Sequence, residues 1–257
     1  MSANAPKAAL IDVDGVLHID GDPIAGAVDA IARLRKMGIP FRLLTNTTVR
    51  TRASLGTLLR GLGFDVTDDE IITAPVATAA YVRRRYPDQP AFAIVKPDVL
   101  ADFDGVPLTE DGDARVVIVG GAEEYFTYQA MNHAFRLLMN GAALVAIHRN
   151  LWWQTANGPG LDAGAFVKGL EHATGRRAAV VGKPAAPFFR AAFRSLGLPP
   201  TQIIMVGDTH RHDILPAMRL GATGALVQTG SFRDSDLAYG APDHLLASVA
   251  ELPDLFE

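Results

Sequence analysis

Short apolar runs that stop abruptly at polar residues recur along this chain, and they restrict its fold more than any other feature. "AALI" (8–11) ends at Asp12, and "IPFRLL" (39–44) ends at Thr45 and Asn46. "VVG" (180–182) ends at Lys183, and "IIMVG" (203–207) ends at Asp208. Between these runs, apolar residues fall three and four apart: Ile24, Ala27, Val28, Ile31 and Leu34, then Leu55, Leu58, Leu59 and Leu62. Strand, helix, strand, helix requires parallel strands joined by right-handed crossovers. The expectation is an α/β fold with a parallel sheet. Pro23 is read as opening the first helix and Gly38 as ending it. "ATGALVQTG" (222–230) supplies a last core strand and its loop.

Residues from about 77 to 178 carry an alternation of their own. Strands are expected near "FAIV", "RVVIVG" and "ALVAI", and helices at "YQAMNHAFRLLM" and "AGAFVKGLEHA". The reading is a second α/β module, 77–178, inserted into a discontinuous core of 1–76 and 179–257. A chain of 257 residues that is 49% hydrophobic can bury a core of that size.

Composition removes several classes of function. With no cysteine, disulfides, thiolate catalysis and zinc–thiolate sites are excluded. The net charge of −4 is spread in mixed sign, which offers neither a nucleic-acid face nor a membrane anchor. The one basic run, Arg83 to Arg85, reads as a solvated helix face. "MSANAPKAAL" lacks the apolar segment of a signal peptide and no stretch is long enough to span a bilayer, so a cytoplasmic protein is expected.

The pair Asp12 and Asp14 in "DVDGV" returns as Asp102 and Asp104 in "DFDGV". In open parallel sheets ligands bind beyond the carboxyl ends of the strands, so a working pair should follow an apolar strand directly. Asp12 and Asp14 do. Asp102 and Asp104 follow an interruption at Pro97 and Asp98 and precede a turn-rich acidic loop, and read as a solvated loop. Neither copy fits a calcium loop. The remaining strand ends supply Thr45, Asn46, Lys183 and Asp208, with Asp213 five residues after Asp208.

Carboxylates gathered at one pole of a sheet repel unless a cation sits among them. Oxygen ligands without cysteine favour Mg²⁺, with Asp12 and Asp208 as ligands. Lysine, threonine and backbone N–H groups around the same point make an anion pocket. A hard cation beside an anion pocket suits phosphoryl transfer. Asp12 would attack phosphorus, and Asp14 would serve the leaving oxygen and then the hydrolytic water. Gly15 allows the tight turn between them and the phosphate.

These residues resemble the haloacid dehalogenase (HAD) superfamily of phosphatases: "DVDGV" matches its first motif, "TN" its second, "GKP" its third and "GDTHRHD" its fourth. The resemblance implies a Rossmann-like parallel-sheet core. It implies Mg²⁺ held by Asp12, the Asp14 carbonyl and Asp208, and a phosphoryl group held by Thr45, Asn46 and Lys183. Asp213 would orient the metal's surroundings. The large insertion is similar to the C2-type cap of the NagD-like branch. Thr209 stands where many relatives carry asparagine, aspartate or arginine. The partner implied is a small phosphorylated metabolite, and cap-mediated homodimers are common among such proteins.

Other residues read more plainly. His210 and His212 lack a third nitrogen or sulfur partner for zinc and read as loop histidines with a surface or supporting role. Trp152 and Trp153 either fill a core or interface or belong to a loop facing the substrate. Asp162 reads as a helix N-cap. Tyr125, Phe126 and Tyr128 read as module core or an oligomer contact. Two competing functions combine similar groups: a phosphotransferase using an acceptor other than water, and a phospho-accepting signalling module. The acid at 14 and the large insertion argue for hydrolysis over signalling.

Overall fold

The computed structural model describes residues 6–155 and 158–257. Residues 1–5, on which part of the N-terminal reading rests, lie outside them. The chain divides into two compact units. One comprises Met1–Thr45, Arg52–Ile72 and Lys183–Glu257, the other Asn46–Thr51 and Thr73–Gly182.

The first unit is built on a six-stranded sheet in the order His244–Leu246, Thr223–Val227, Ile203–Gly207, Ala8–Asp12, Phe41–Thr45, Ile71–Thr73. The four pairings among the first five strands are all parallel. Ala8–Ile11 and Ile203–Val206 are fully buried, which explains their unbroken apolar sequence: a parallel strand covered on both faces has no polar side to show. Helix Ala27–Lys36 buries Ala27, Ala30, Ile31 and Leu34 in the core beneath the sheet. Helix Ala186–Leu196 buries Phe188, Phe189, Ala192 and Phe193 and stops at Gly197, in the left-handed conformation at φ 67°. Each buried phenylalanine contributes about 1.5–3 kcal/mol of transfer free energy.

Pro23 does not open the first helix. It lies in a short antiparallel ribbon, Asp22–Pro23 against His18–Ile19, and the helix starts at Ala27 after a left-handed Gly26. The apolar spacing from Ile24 onward continued past the true boundary, because Ile24 packs against the same core from outside the helix.

The second unit carries its own parallel sheet, in the order Ala179–Val180, Ala143–Ala146, Val116–Val119, Ala91–Ile94. Helices Tyr128–Met139 and Ala163–Thr174 follow the expected segments, and Asp162 caps the second through a bond from the Ala163 N–H at 2.7 Å. A two-stranded hairpin, Trp152–Thr155 with Gly158–Leu161, was not apparent in the sequence pattern. The apolar run before Lys183 is not a strand of the first sheet. Ala179 and Val180 pair with Val145 and Ala146, and the Gly182 N–H donates to the Ile147 carbonyl at 2.7 Å. Periodicity could not tell which of two parallel sheets would claim so short a run. Among the described residues no helix is long and apolar enough to cross a membrane.

Candidate active site

The strand order in the first unit creates the place where side chains can converge. From Ala8–Asp12 the chain continues to its neighbour on one side, Phe41–Thr45, and only much later to its neighbour on the other, Ile203–Gly207. Such a reversal of direction opens a crevice at the carboxyl ends of the strands. Ile11 is level with Val206 and Asp12 with Leu44. Asp208 and Thr45 therefore emerge at about the same height as Asp12, from strands roughly 4.8 Å away on either side.

Lys183 joins them from a distant part of the chain. Its Nζ donates to Asp12 Oδ1 at 2.8 Å and to Asp213 Oδ1 at 2.7 Å. Asp213 is delivered by a single π-type turn, His210–Ile214, which begins two residues after Asp208; wide turns of this kind concentrate at functional sites. The Thr209 hydroxyl bonds Asp213 Oδ2 and lies 3.2 Å from Asp208 Oδ1. The Ser231 N–H donates to Asp208 Oδ2 at 2.7 Å, and the Val13 N–H to Asp12 Oδ1 at 2.8 Å. Asp12, Asp208 and Asp213 each offer a carboxylate oxygen within 4.8 Å of the others, and all three are buried.

Three buried carboxylates share one ammonium group, so the cluster is short of positive charge. Burial pushes the Asp12 carboxyl well above the ordinary aspartate value, the charge on Asp213 pushes it further, and Lys183 only partly opposes them. Burial also raises Asp208, against the bond from Ser231. Burial pulls Lys183 down, but Asp12 and Asp213 outweigh it and hold its ammonium above the usual lysine value. The site is therefore a locked cation beside two carboxyls, Asp12 and Asp208, that resist ionising, which a divalent ion would relieve.

Glycines make room for this arrangement. Gly15 has φ +79° and Gly230 has φ +60°, and a Cβ on either would collide with the Asp208 carboxylate. The Thr229 hydroxyl ties the two loops together by donating to the Gly15 carbonyl at 2.6 Å. Gly15→Ala therefore combines backbone strain with displacement of Asp208, and should cost about 2–4 kcal/mol in thermal or denaturant unfolding. A loss below about 0.5 kcal/mol would show that the loop yields freely.

Asp14 stands apart from the buried cluster. Its side chain is 72% exposed, accepts a bond from the Thr45 hydroxyl at 3.3 Å, and lies 3.9 Å from His18 Nε2. Asn46 follows Thr45 directly but groups with the second unit. His212 is exposed, whereas His210 is buried with neither ring nitrogen bonded among the described residues, which removes the surface alternative for His210 and leaves the supporting one. Asp104 is exposed, and Asp102 accepts a bond from Thr73 Oγ1 at 3.1 Å, a structural tie at a helix start. Sequence reasoning passed over Ser231 and Thr229. Their position just past the last long strand of the sheet was the available signal.

The second unit holds a pocket of about 200 Å³ whose lining includes Thr48, Phe126, His148, Trp153 and Asp162, with no lysine or arginine. His148 is buried, with Nε2 3.4 Å from the Thr48 hydroxyl and 3.6 Å from Asp162 Oδ1. Burial lowers its pKa below the usual value, against the pull of Asp162. Trp152 and Trp153 are 62% and 43% exposed, which removes the core-packing reading. Phe126 stacks on Phe166 at 3.8 Å between ring centres, while Tyr125 and Tyr128 are exposed.

Family models agree with this architecture. One described as haloacid dehalogenase-like hydrolase matches residues 9–109, and a second, HAD-hydrolase-like, matches 180–252. Human haloacid dehalogenase-like hydrolase domain-containing protein 2 is 40% identical over 235 residues, 91% of this chain and 89% of that protein. Human phospholysine phosphohistidine inorganic pyrophosphate phosphatase is 34% identical over 257 residues, covering 97% and 93%. The solved structure of NagD from E. coli K-12 superposes with a TM-score of 0.87 at 28% identity, covering 96% of this chain and 98% of its own. The chain belongs to the haloacid dehalogenase-like hydrolases and, within them, to the NagD-like phosphatases.

Proposed function

We propose that this phosphatase hydrolyses a small phosphorylated metabolite through an aspartyl-phosphate on Asp12, with Mg²⁺ held by Asp12, the Asp14 carbonyl and Asp208. The observation that carries the reading is the meeting of Asp12 and Lys183, 171 residues apart, at 2.8 Å beside two further buried carboxylates. The donor set is all oxygen and undercompensated in charge, which suits a hard divalent ion. When bound, Mg²⁺ would offset the charge of the carboxylates and of the phosphoryl group. Under the same reading the second unit is a C2-type cap.

The carboxylate of Asp12 attacks phosphorus as the bond to the leaving oxygen breaks, and Asp14 gives that oxygen a proton. Asp14 then takes a proton from water, the water oxygen attacks phosphorus, and the Asp12–phosphorus bond breaks to release phosphate. Thr45, Asn46 and Lys183 hold the phosphoryl oxygens, and Asp213 keeps the Lys183 ammonium aimed at Asp12.

Phosphate release should be screened over a metabolite panel with Mg²⁺ and with chelator. Release that persists undiminished in chelator rejects the metal. Asp14→Asn should slow loss of the acyl-phosphate at least tenfold and leave labelled phosphate on the quenched protein. Unlabelled protein with normal turnover would remove Asp14 from the second step. Added Mg²⁺ should also stabilise the substrate-free protein, by about 2.7 kcal/mol at a concentration one hundred times Kd. A melting temperature indifferent to Mg²⁺ would argue against the site.

A further inference from the structure

The first unit carries a second concavity, of about 530 Å³, that takes no part in the acidic centre. Pro184, Ala186, Leu215, Pro216, Leu220 and the ring of Tyr239 form its largely apolar walls. Arg211 and Arg219 complete the lining, which contains no acidic residue. The Arg211 guanidinium lies 4.8 Å from the centre of the Tyr239 ring. Neither arginine has an ion-pair partner among the described residues.

A surface arginine over a tyrosine is ordinary packing when it stands alone. Here two guanidinium groups, each with five donors, share one apolar groove and no carboxylate answers them, in a chain with more acids than bases. The volume lies within the range of small-molecule sites, and apolar walls with a few polar groups are their usual make-up. A cation would be repelled. An inorganic polyanion would leave the walls in water, and an uncharged apolar body would leave the guanidinium forks unused. The groove also shares backbone with the acidic centre: Pro184 follows Lys183, and Arg211 and Leu215 each stand two residues from Asp213.

We propose that this groove binds a small amphipathic anion, a carboxylate or phosphate on an apolar body, and that occupancy changes turnover at Asp12. Arg211 and Arg219 would take the anionic head, and Leu215, Leu220 and Tyr239 the apolar part. The turnover clause rests on the phosphatase reading; the binding clause does not.

The probe is 3-phenylpropionate, with phenylphosphonate as the phosphorus counterpart and 3-phenylpropionamide as the uncharged control. Methyl NMR of the full chain should show saturable shifts at Leu215 and Leu220. Affinity should fall about tenfold or more for the amide and for the Arg211→Ala/Arg219→Ala variant, a loss of about 1.4 kcal/mol. Both arginines are exposed, so the variant should fold, and the amide arm needs no variant. Absence of shifts at about 10 mM probe, or equal shifts with the amide, overturns the site. If only phenylphosphonate shifts the methyls, the site is phosphate-selective and the carboxylate branch falls. Turnover of p-nitrophenyl phosphate should change with the same midpoint in the wild type and stay flat in the variant. Shifts with unchanged wild-type turnover overturn the coupling, and a wild type with no turnover at all counts against the phosphatase reading instead.

Discussion

Asp12→Asn is expected to abolish phosphate release, by a factor on the order of 10⁴ or more, while leaving the metal-free protein as stable as the wild type or more so. The two effects have one origin. An amide has no lone pair basic enough to attack phosphorus, yet it keeps an oxygen where Lys183 and the Val13 N–H donate, both at 2.8 Å. What disappears is a buried negative charge. Burial first, and then Asp213, hold the Asp12 carboxyl well above its ordinary value, so its ionised form is a cost to the fold. Lys183 keeps Asp213 as a partner at 2.7 Å. Phosphate release and metal-free melting temperature, measured on one preparation, check both halves. Activity above about 1% of wild type would remove Asp12 as nucleophile. A clear drop in melting temperature would show that the charge stabilises the fold after all.

Lys183→Met should be costly on both counts. It leaves three buried carboxylates within 4.8 Å of one another without their ammonium. Breaking a buried ion pair from one side costs about 3–5 kcal/mol, and phosphate release should fall on the order of 10³-fold with loss of the charge at the phosphoryl group. The stability loss carries a pH signature. Asp12 and Asp208 both have folded values raised above the usual 3.8. Their contribution is therefore full below that value and is lost as pH rises through the raised folded values. Without Lys183 those values move higher. The metal-free variant should then approach the wild type in acid below the usual aspartate value and fall behind it across the window, up to neutral pH, in which the raised carboxylates ionise. Denaturant unfolding at the two ends of that window decides. Mg²⁺ should recover part of the stability and little of the activity, since an ion among the carboxylates does not replace a donor aimed at Asp12. A penalty equal at both pH values would mean that Lys183 acts by packing alone.

Much of the site was legible because in a parallel sheet the residues at the carboxyl end of each buried strand, its last or the one after, emerge on one edge. Asp12, Thr45 and Asp208 follow that rule, and the apolar runs before them are the strands that carry them. Lys183 was found for a partly mistaken reason. The run before it belongs to the other sheet, and the lysine reaches Asp12 as the chain re-enters the first unit. The shift of residues 46–51 to the second unit was illegible because those residues hold no strand or helix, only contacts such as Thr48 with His148. Burial of His210 could not be read either: a histidine in a polar loop looks the same whether it faces water or the core. The pairing of His148 with Asp162 joins residues whose local roles, strand exit and helix cap, gave no hint of each other.

The middle strand of the first sheet has a consequence for how the chain is made. Ala8–Asp12 leaves the ribosome before either of its flanking partners, and one of them, Ile203–Gly207, is translated some 195 positions later, as the match of Ala8 with Ile203 requires. At ordinary elongation speeds that delay is roughly 10–40 s. Throughout it, one edge of a wholly apolar ribbon stands open, the kind of surface that holdase chaperones cover and that neighbouring nascent chains can pair with.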